Sequence, residues 1–203
     1  MKHLLVPLLV LLAVSLPCIA GDATEPVYDM EGHEVSGDGL YYIVPADGGT
    51  NGSGSLGSSS DATEYCSFYV FATVSAGLPV RFTPQNASAD GGGAVVRLSS
   101  NITIQFKGIV MCLESMEWHV RDSPSPSSYG QRVAVGRKIA QPPMPSVFRV
   151  EKLDDATEGN MYKLVYCAGE GPCEDLGLQP SEGMKTWWLV TSDWPLAVVF
   201  RKA

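Results

Sequence analysis

The sequence predicts an all-β domain of about a dozen short strands, closed as a barrel or stacked as a sandwich. Three observations predict it. Short runs rich in β-branched and aromatic residues recur along the chain, bounded by Gly, Pro, Asn, Asp and Ser. Nowhere do apolar residues recur at helical spacing over three turns. A strand pair carrying an aromatic also returns about every sixty residues, which suggests threefold internal symmetry. These pairs are Leu40 to Val44 with Ser67 to Ala72, Ile102 to Phe106 with Met116 to Val120, and Val147 to Lys152 with Met161 to Tyr166.

Taken in order, residues 1–20 read as a secretory signal. Lys2 and His3 precede the apolar run Leu4 to Leu16, and Pro17-Cys18-Ile19-Ala20 ends it, with cleavage expected near Ala20-Gly21. Pro7, Pro17 and the short apolar core argue against a permanent span. Residues 21–203 then form the single domain. A turn-rich segment from Val27 to Val35 leads to the first strand, Leu40 to Val44. Pro45 to Asp61 is dominated by Gly, Ser and Asp and reads as a mobile loop, because it has too little apolar area to pack. Further strands are expected at Ser67 to Ala72, Pro79 to Phe82, Ala94 to Leu98, Ile102 to Phe106 and Met116 to Val120. A polar loop, Thr83 to Asp90, breaks that series, with Pro84 fixing φ near its start. After the Pro/Ser loop Asp122 to Ser128, strands are expected at Arg132 to Val135, Val147 to Lys152, Met161 to Tyr166, Thr186 to Val190 and Leu196 to Arg201. Asp154 to Asn160 is a turn cluster.

Charge and motifs narrow the function. Loss of the signal removes Lys2 from the 14 basic residues and none of the 22 acidic ones, so the mature chain sits near −9 and nucleic acid is a poor partner. Gly52-Ser53-Gly54-Ser55-Leu56-Gly57 is formally a GxGxxG, but no helix follows to hold a dinucleotide. Cys18 leaves with the signal, and Cys66, Cys112, Cys167 and Cys173 remain, an even set with three connectivities. The tight spacing of Cys167 and Cys173 favours a local bridge, which leaves Cys66 with Cys112; zinc-finger spacing is absent. Asn51, Asn86 and Asn101 each begin an Asn-x-Ser/Thr sequon and are candidate glycan acceptors. Catalysis finds little support. Only His33 and His119 remain for a serine triad, no Gly-x-Ser-x-Gly elbow occurs, and the pairs Glu151/Asp154 and Glu170/Glu174 read as turn or edge carboxylates. No metal and no cofactor is expected.

Val27-x-Asp29-x-x-Gly32-x-x-Val35-x-x-x-x-x-Tyr41-x-Ile43 resembles the N-terminal signature of the plant Kunitz (soybean trypsin inhibitor type) family at every specified position. The likeness runs through Glu117-Trp118-His119-Val120, Phe148-Arg149-Val150-Glu151-Lys152 and the terminal Val198-Val199-Phe200-Arg201-Lys202. In detail the chain is similar to the cereal α-amylase/subtilisin inhibitors, in Asp29-x-Glu31-Gly32-His33-Glu34, Phe82-Thr83-Pro84 and Cys173-Glu174-Asp175-Leu176-Gly177. The resemblance implies a β-trefoil with bridges 66–112 and 167–173. It also implies a secreted inhibitor, extracellular or vacuolar, monomeric, glycosylated and serving plant defence.

The same resemblance implies two faces. The protease-binding loop would be Pro84, Gln85, Asn86, Ala87, Ser88 and Ala89, with Asn86 in the specificity pocket and Asn86-Ala87 as the facing bond. An uncharged Asn86 would leave the carboxylate of a trypsin pocket unpaired, so a subtilisin-like serine endopeptidase fits better. The asparagine with which the family often braces this loop corresponds to Gly37. The α-amylase face would be Ser99, Lys163, Asp175 and Asp193, offering an ammonium and carboxylates to an acidic glycosidase cleft. A storage or carbohydrate-binding trefoil without inhibition is the alternative, since folds host unrelated functions.

Overall fold

The computed structural model describes residues 25–46, 54–60, 67–85, 94–108, 115–121, 130–136, 146–153, 159–169, 171–181 and 186–203. The expected signal at 1–20, the loop 122–128, most of the turn cluster 154–160, and Cys66, Cys112, Asp154 and Glu170 lie outside them. Twelve strands and no helix are present among the described residues. They are β1 (Tyr41–Pro45), β2 (Ser55–Ser60), β3 (Phe68–Thr73), β4 (Val80–Pro84), β5 (Ile102–Phe106), β6 (Trp118–Val120), β7 (Val133–Val135), β8 (Val147–Lys152), β9 (Tyr162–Cys167), β10 (Glu174–Pro180), β11 (Trp187–Thr191) and β12 (Val198–Lys202).

Antiparallel pairing runs β12-β1-β4-β5-β8-β9 and closes through β12–β9, which makes a six-stranded barrel without free edges. The hairpins β2–β3, β6–β7 and β10–β11 form the other sheet and cap one end. Three equivalent thirds begin at β1, β5 and β9, about sixty residues apart. This is a β-trefoil. The period therefore holds, but the third pair named from sequence is misplaced: β8 closes the second third, and β9 opens the last.

Alternation explains the barrel strands. β1 and β5 both read buried, half-buried, buried along their length, so one face of each stave points inward. Their inward residues join Phe82, Trp118, Phe148, Tyr162 and Phe200, all fully enclosed. Phe82 meets Phe200 edge-on at 5.3 Å, and Phe200 stacks on Tyr162 at 5.6 Å, so aromatics from different thirds meet in the core.

Local expectations fail where pairing overrode composition. Ser55–Ser60, expected to be loop, is β2, because Leu56 is fully buried and all six residues pair in register with β3. The GxGxxG therefore runs into a strand rather than a phosphate loop. Glu174–Pro180, unassigned from sequence, is β10. Ala94 to Leu98 is not a continuous strand; it makes isolated bridges from Val95 to Ser36 and from Arg97 to Pro26. β4 runs on through Pro84, which pairs with Ile102, so the polar loop starts later than Thr83. A proline is tolerated at that terminal position, where its missing N–H costs no interior ladder bond.

Candidate functional site

Two surfaces expected from sequence meet different fates. Of the protease loop, Pro84 and Gln85 are described, and Asn86, Ala87, Ser88 and Ala89 lie outside the described residues, as does Asn51. The stems are well held. The Gln85 N–H donates to the Asn101 carbonyl at 2.9 Å, and the Arg149 Nε donates to the Asn101 side-chain oxygen at 2.8 Å. On the return stem, the Gly37 N–H donates to the Ala94 carbonyl at 2.9 Å. A Cβ on Gly37 would lie 3.2 Å from the Phe82 carbonyl, 3.3 Å from that of Ala94 and 3.3 Å from the Pro84 ring. Gly37 thus sits between both stems, where a bracing side chain would stand, and supplies a backbone bond in its place.

The second surface is fully described. Lys163 lies on β9, two residues before Val165, whose register partner is Asp175 on β10. This diagonal spacing lets their side chains meet on one face. The Lys163 Nζ is 2.9 Å from one Asp175 oxygen and 3.2 Å from the other, with the two side chains only 20% and 24% exposed. The Cys167–Cys173 disulfide closes the β9–β10 connection and fixes that register. It is the local bridge expected from spacing.

Ser99 reaches the same surface by another route. Its Oγ donates to a Glu151 oxygen at 2.7 Å, and Glu151 on β8 lies directly opposite Lys163 on β9. Ser99 has φ of 56°, a left-handed angle that costs a non-glycine residue roughly 1 kcal/mol or more. The Ser99 N–H bond to the Val150 carbonyl at 3.0 Å and the Glu151 bond hold it there. Ser99, Glu151, Lys163 and Asp175 therefore form one polar row across β8, β9 and β10.

Asp193 is exposed on the turn Ser192-Asp193-Trp194-Pro195 between β11 and β12. That turn is tied to the row, since the Ser192 N–H donates to the Asp175 carbonyl at 2.8 Å. All four residues expected to form the amylase face are thus on connected elements. Sequence reasoning missed Glu151, which it read as an edge carboxylate. The signal lay in strand register, invisible until β8 and β9 are paired. It also missed Trp194, whose exposure of 83% is the highest among the large hydrophobic residues described.

His33 is exposed beside Glu31 and Asp29, its Nδ1 3.6 Å and 3.8 Å from their carboxylates, and His119 pairs with Ala134 in the β6–β7 hairpin. Asp29 instead caps its own turn, its Oδ1 accepting from the Glu31 and His33 N–H groups at 2.9 Å each. Among the described residues no group of three or more His, Cys, Asp or Glu is arranged to hold a metal ion.

The fold defines a class, the β-trefoils. Comparison with known proteins places the chain within it: residues 27–202 match the Kunitz legume family model, described as trypsin and protease inhibitor, and the chain belongs to that family. It is similar to the α-amylase/subtilisin inhibitor of Oryza sativa subsp. japonica, at 39% identity over 201 residues, 97% of this chain and 92% of that one. It is similar also to the α-amylase/subtilisin inhibitor of Hordeum vulgare, at 31% identity over 88% of this chain and 86% of that one. A solved structure of the rice bifunctional α-amylase/subtilisin inhibitor superposes with a TM-score of 0.67 at 36% identity, covering 89% of this chain and all of that one. The family and these relatives are inhibitors, not enzymes.

Proposed function

We propose that this hydrolase inhibitor acts on an α-amylase through the row that carries Ser99, Lys163 and Asp175, with Asp193 on the adjoining turn. The observation that carries the reading is the shielded Lys163–Asp175 pair, locked by the neighbouring disulfide. A glycosidase cleft contains acidic catalytic groups. An ammonium offered to them with its own carboxylate alongside can exchange hydrogen bonds without burying an unpaired charge. Two relatives named as α-amylase/subtilisin inhibitors support the same target.

A second target, a subtilisin-like serine endopeptidase, would be engaged by the loop 84–90, and the held stems at Gln85 and Ala94 favour it. Restrained stems lower the ordering cost of binding. The mature chain would act as a monomer after removal of the signal, in an oxidising compartment, secreted or vacuolar, consistent with the Cys167–Cys173 bridge. The test is residual activity of a cereal α-amylase, subtilisin, trypsin and chymotrypsin titrated with the mature protein. Asp175→Asn and Lys163→Leu are expected to abolish amylase inhibition and leave any subtilisin inhibition intact. Inhibition of no enzyme by the folded protein would refute the proposal and favour a storage or carbohydrate-binding role.

A further inference from the structure

We infer that Trp194 is the anchor of the enzyme-facing surface, inserting its indole into an apolar recess on the wall of the α-amylase cleft. The inference rests on the amylase reading above and extends it to a residue outside the four carried by family resemblance. The Trp194 indole is 83% exposed, on a turn joined by a hydrogen bond to Asp175 of the proposed amylase face. Tryptophan is also among the residues most enriched where binding energy concentrates.

The turn that presents it is built to be rigid. The Ser192 N–H donates to the Asp175 carbonyl at 2.8 Å, the Trp194 N–H to the Ser192 hydroxyl at 3.0 Å, and the Leu196 N–H to the Leu176 carbonyl at 2.8 Å. Pro195 confines its own φ and disfavours a helical backbone at Trp194. The turn lies flat on β10 because position 177 is glycine; a Cβ there would overlap the Trp194 carbonyl and lie 2.8 Å from the Ser192 Cβ. Trp194 therefore has little left to lose on binding but two side-chain torsions.

Its position fits the occupant. Gly177 follows Asp175 by two residues, so the direction of its missing side chain and the Asp175 carboxylate share one face of β10. The turn lies over that face beside the Lys163–Asp175 pair. A turn that carries an exposed indole and Asp193, and is joined to Asp175 and so to the Lys163 pair, supplies both an apolar anchor and charged groups for an interface rim. Sugar-binding clefts are lined with aromatic and apolar side chains around a few polar groups, and such a wall offers the indole its contact.

The test uses the full mature protein and a cereal α-amylase. Trp194→Ala is expected to raise the inhibition constant about 30-fold, equivalent to about 2 kcal/mol, with Trp194→Phe losing less. The melting temperature should be unchanged, since the side chain is in solvent. Fluorine NMR of fluorotryptophan-labelled protein, with the resonance assigned by Trp194→Phe, should show that signal shift when amylase is added. Wild-type inhibition by Trp194→Ala, with Asp175→Asn inactive, would overturn the anchor and leave the amylase face standing. Absence of amylase inhibition by the unaltered protein would overturn both. A shift of the Trp194 resonance by a malto-oligosaccharide alone would overturn the enzyme contact in favour of sugar binding.

Discussion

Replacing Gly177 by alanine tests whether the turn over β10 is set by steric necessity. The φ of Gly177 lies outside the left-handed region, so nothing but space demands a glycine there. An added Cβ would stand 2.8 Å from the Ser192 Cβ and 2.9 Å from its hydroxyl, and would overlap the Trp194 carbonyl. Carbon contacts are optimal at about 3.5–4 Å, so the turn must lift by roughly 1 Å. Lifting strains two bonds, Ser192 N–H to Asp175 and Leu196 N–H to Leu176, both now at 2.8 Å. At about 1 kcal/mol net for each, the loss comes to about 2 kcal/mol. For a domain of this size that lowers the melting temperature by about 4–8 °C. Thermal unfolding followed by circular dichroism measures it, and melting curves that coincide for wild type and variant would refute the reasoning. The same lift moves Trp194 and Asp193 but not Asp175, which the disulfide and β9 hold. Amylase inhibition should therefore weaken along with stability, and full inhibition by a destabilised variant would show that the turn only supports the fold.

A double-mutant cycle on Lys163→Met and Asp175→Asn, followed by urea unfolding, should return a coupling of about 0.5–1 kcal/mol, as expected for a partly shielded pair. Removing the bridge with Cys167→Ser and Cys173→Ser should cost about 2 kcal/mol, the chain-entropy value for so short a loop, read from the denaturation midpoint. Glu151→Leu should weaken amylase inhibition while Glu151→Gln, which still accepts from Ser99, largely preserves it; equal inhibition constants for the two variants would contradict the bracing role. Burial holds the Tyr162 phenol above its ordinary value of 10.0, against the opposing pull of the Tyr28 N–H, and the hydrogen bond to Glu25 raises Lys152 above 10.5. Both groups keep their protons longer when folded, so their contribution is complete below about pH 10 and is lost as pH rises through the folded-state values. Stability measured against pH should therefore fall above pH 10, less steeply in Tyr162→Phe. That variant should also lose about 1–3 kcal/mol at neutral pH, since the Tyr28 N–H loses its 2.9 Å acceptor.

Much of the barrel was legible because its staves alternate. Tyr41–Pro45, Ile102–Phe106 and Tyr162–Cys167 carry their inward residues at every second position, and each lies within a residue or so of where the sequence puts it. The cap hairpins were harder. β2 is Ser-Leu-Gly-Ser-Ser-Ser, whose strand character comes from a partner, Phe68–Thr73, that supplies the apolar side chains for both. Composition measures what a segment can bury by itself, and β2 buries little beyond Leu56. The candidate site divides in the same way. Asp175 stands on a motif and Lys163 on a strand that a single chain displays. The link from Ser99 to Glu151 depends on which strands are neighbours, and no local pattern encodes that.

That link explains how a strained serine can serve the proposed amylase face. Ser99 keeps a left-handed backbone angle that its side chain disfavours, and such an angle persists only where its surroundings over-determine it. Here the surroundings are one strand. Val150 takes the Ser99 N–H, and Glu151, the next residue, takes its hydroxyl. Two residues before Val150 on β8, Phe148 is fixed in the core, and Arg149 between them reaches Asn101, whose carbonyl holds Gln85 at the stem of the other loop. Successive residues of a strand face opposite ways, so Phe148 and Val150 anchor the barrel while Arg149 and Glu151 brace the two surfaces. The rigidity the proposed surfaces need is drawn from the hydrophobic core through alternate residues of one strand. The family motif Phe148-Arg149-Val150-Glu151-Lys152 thus carries, in one alternating run, both what closes the fold and what holds its exposed faces in place.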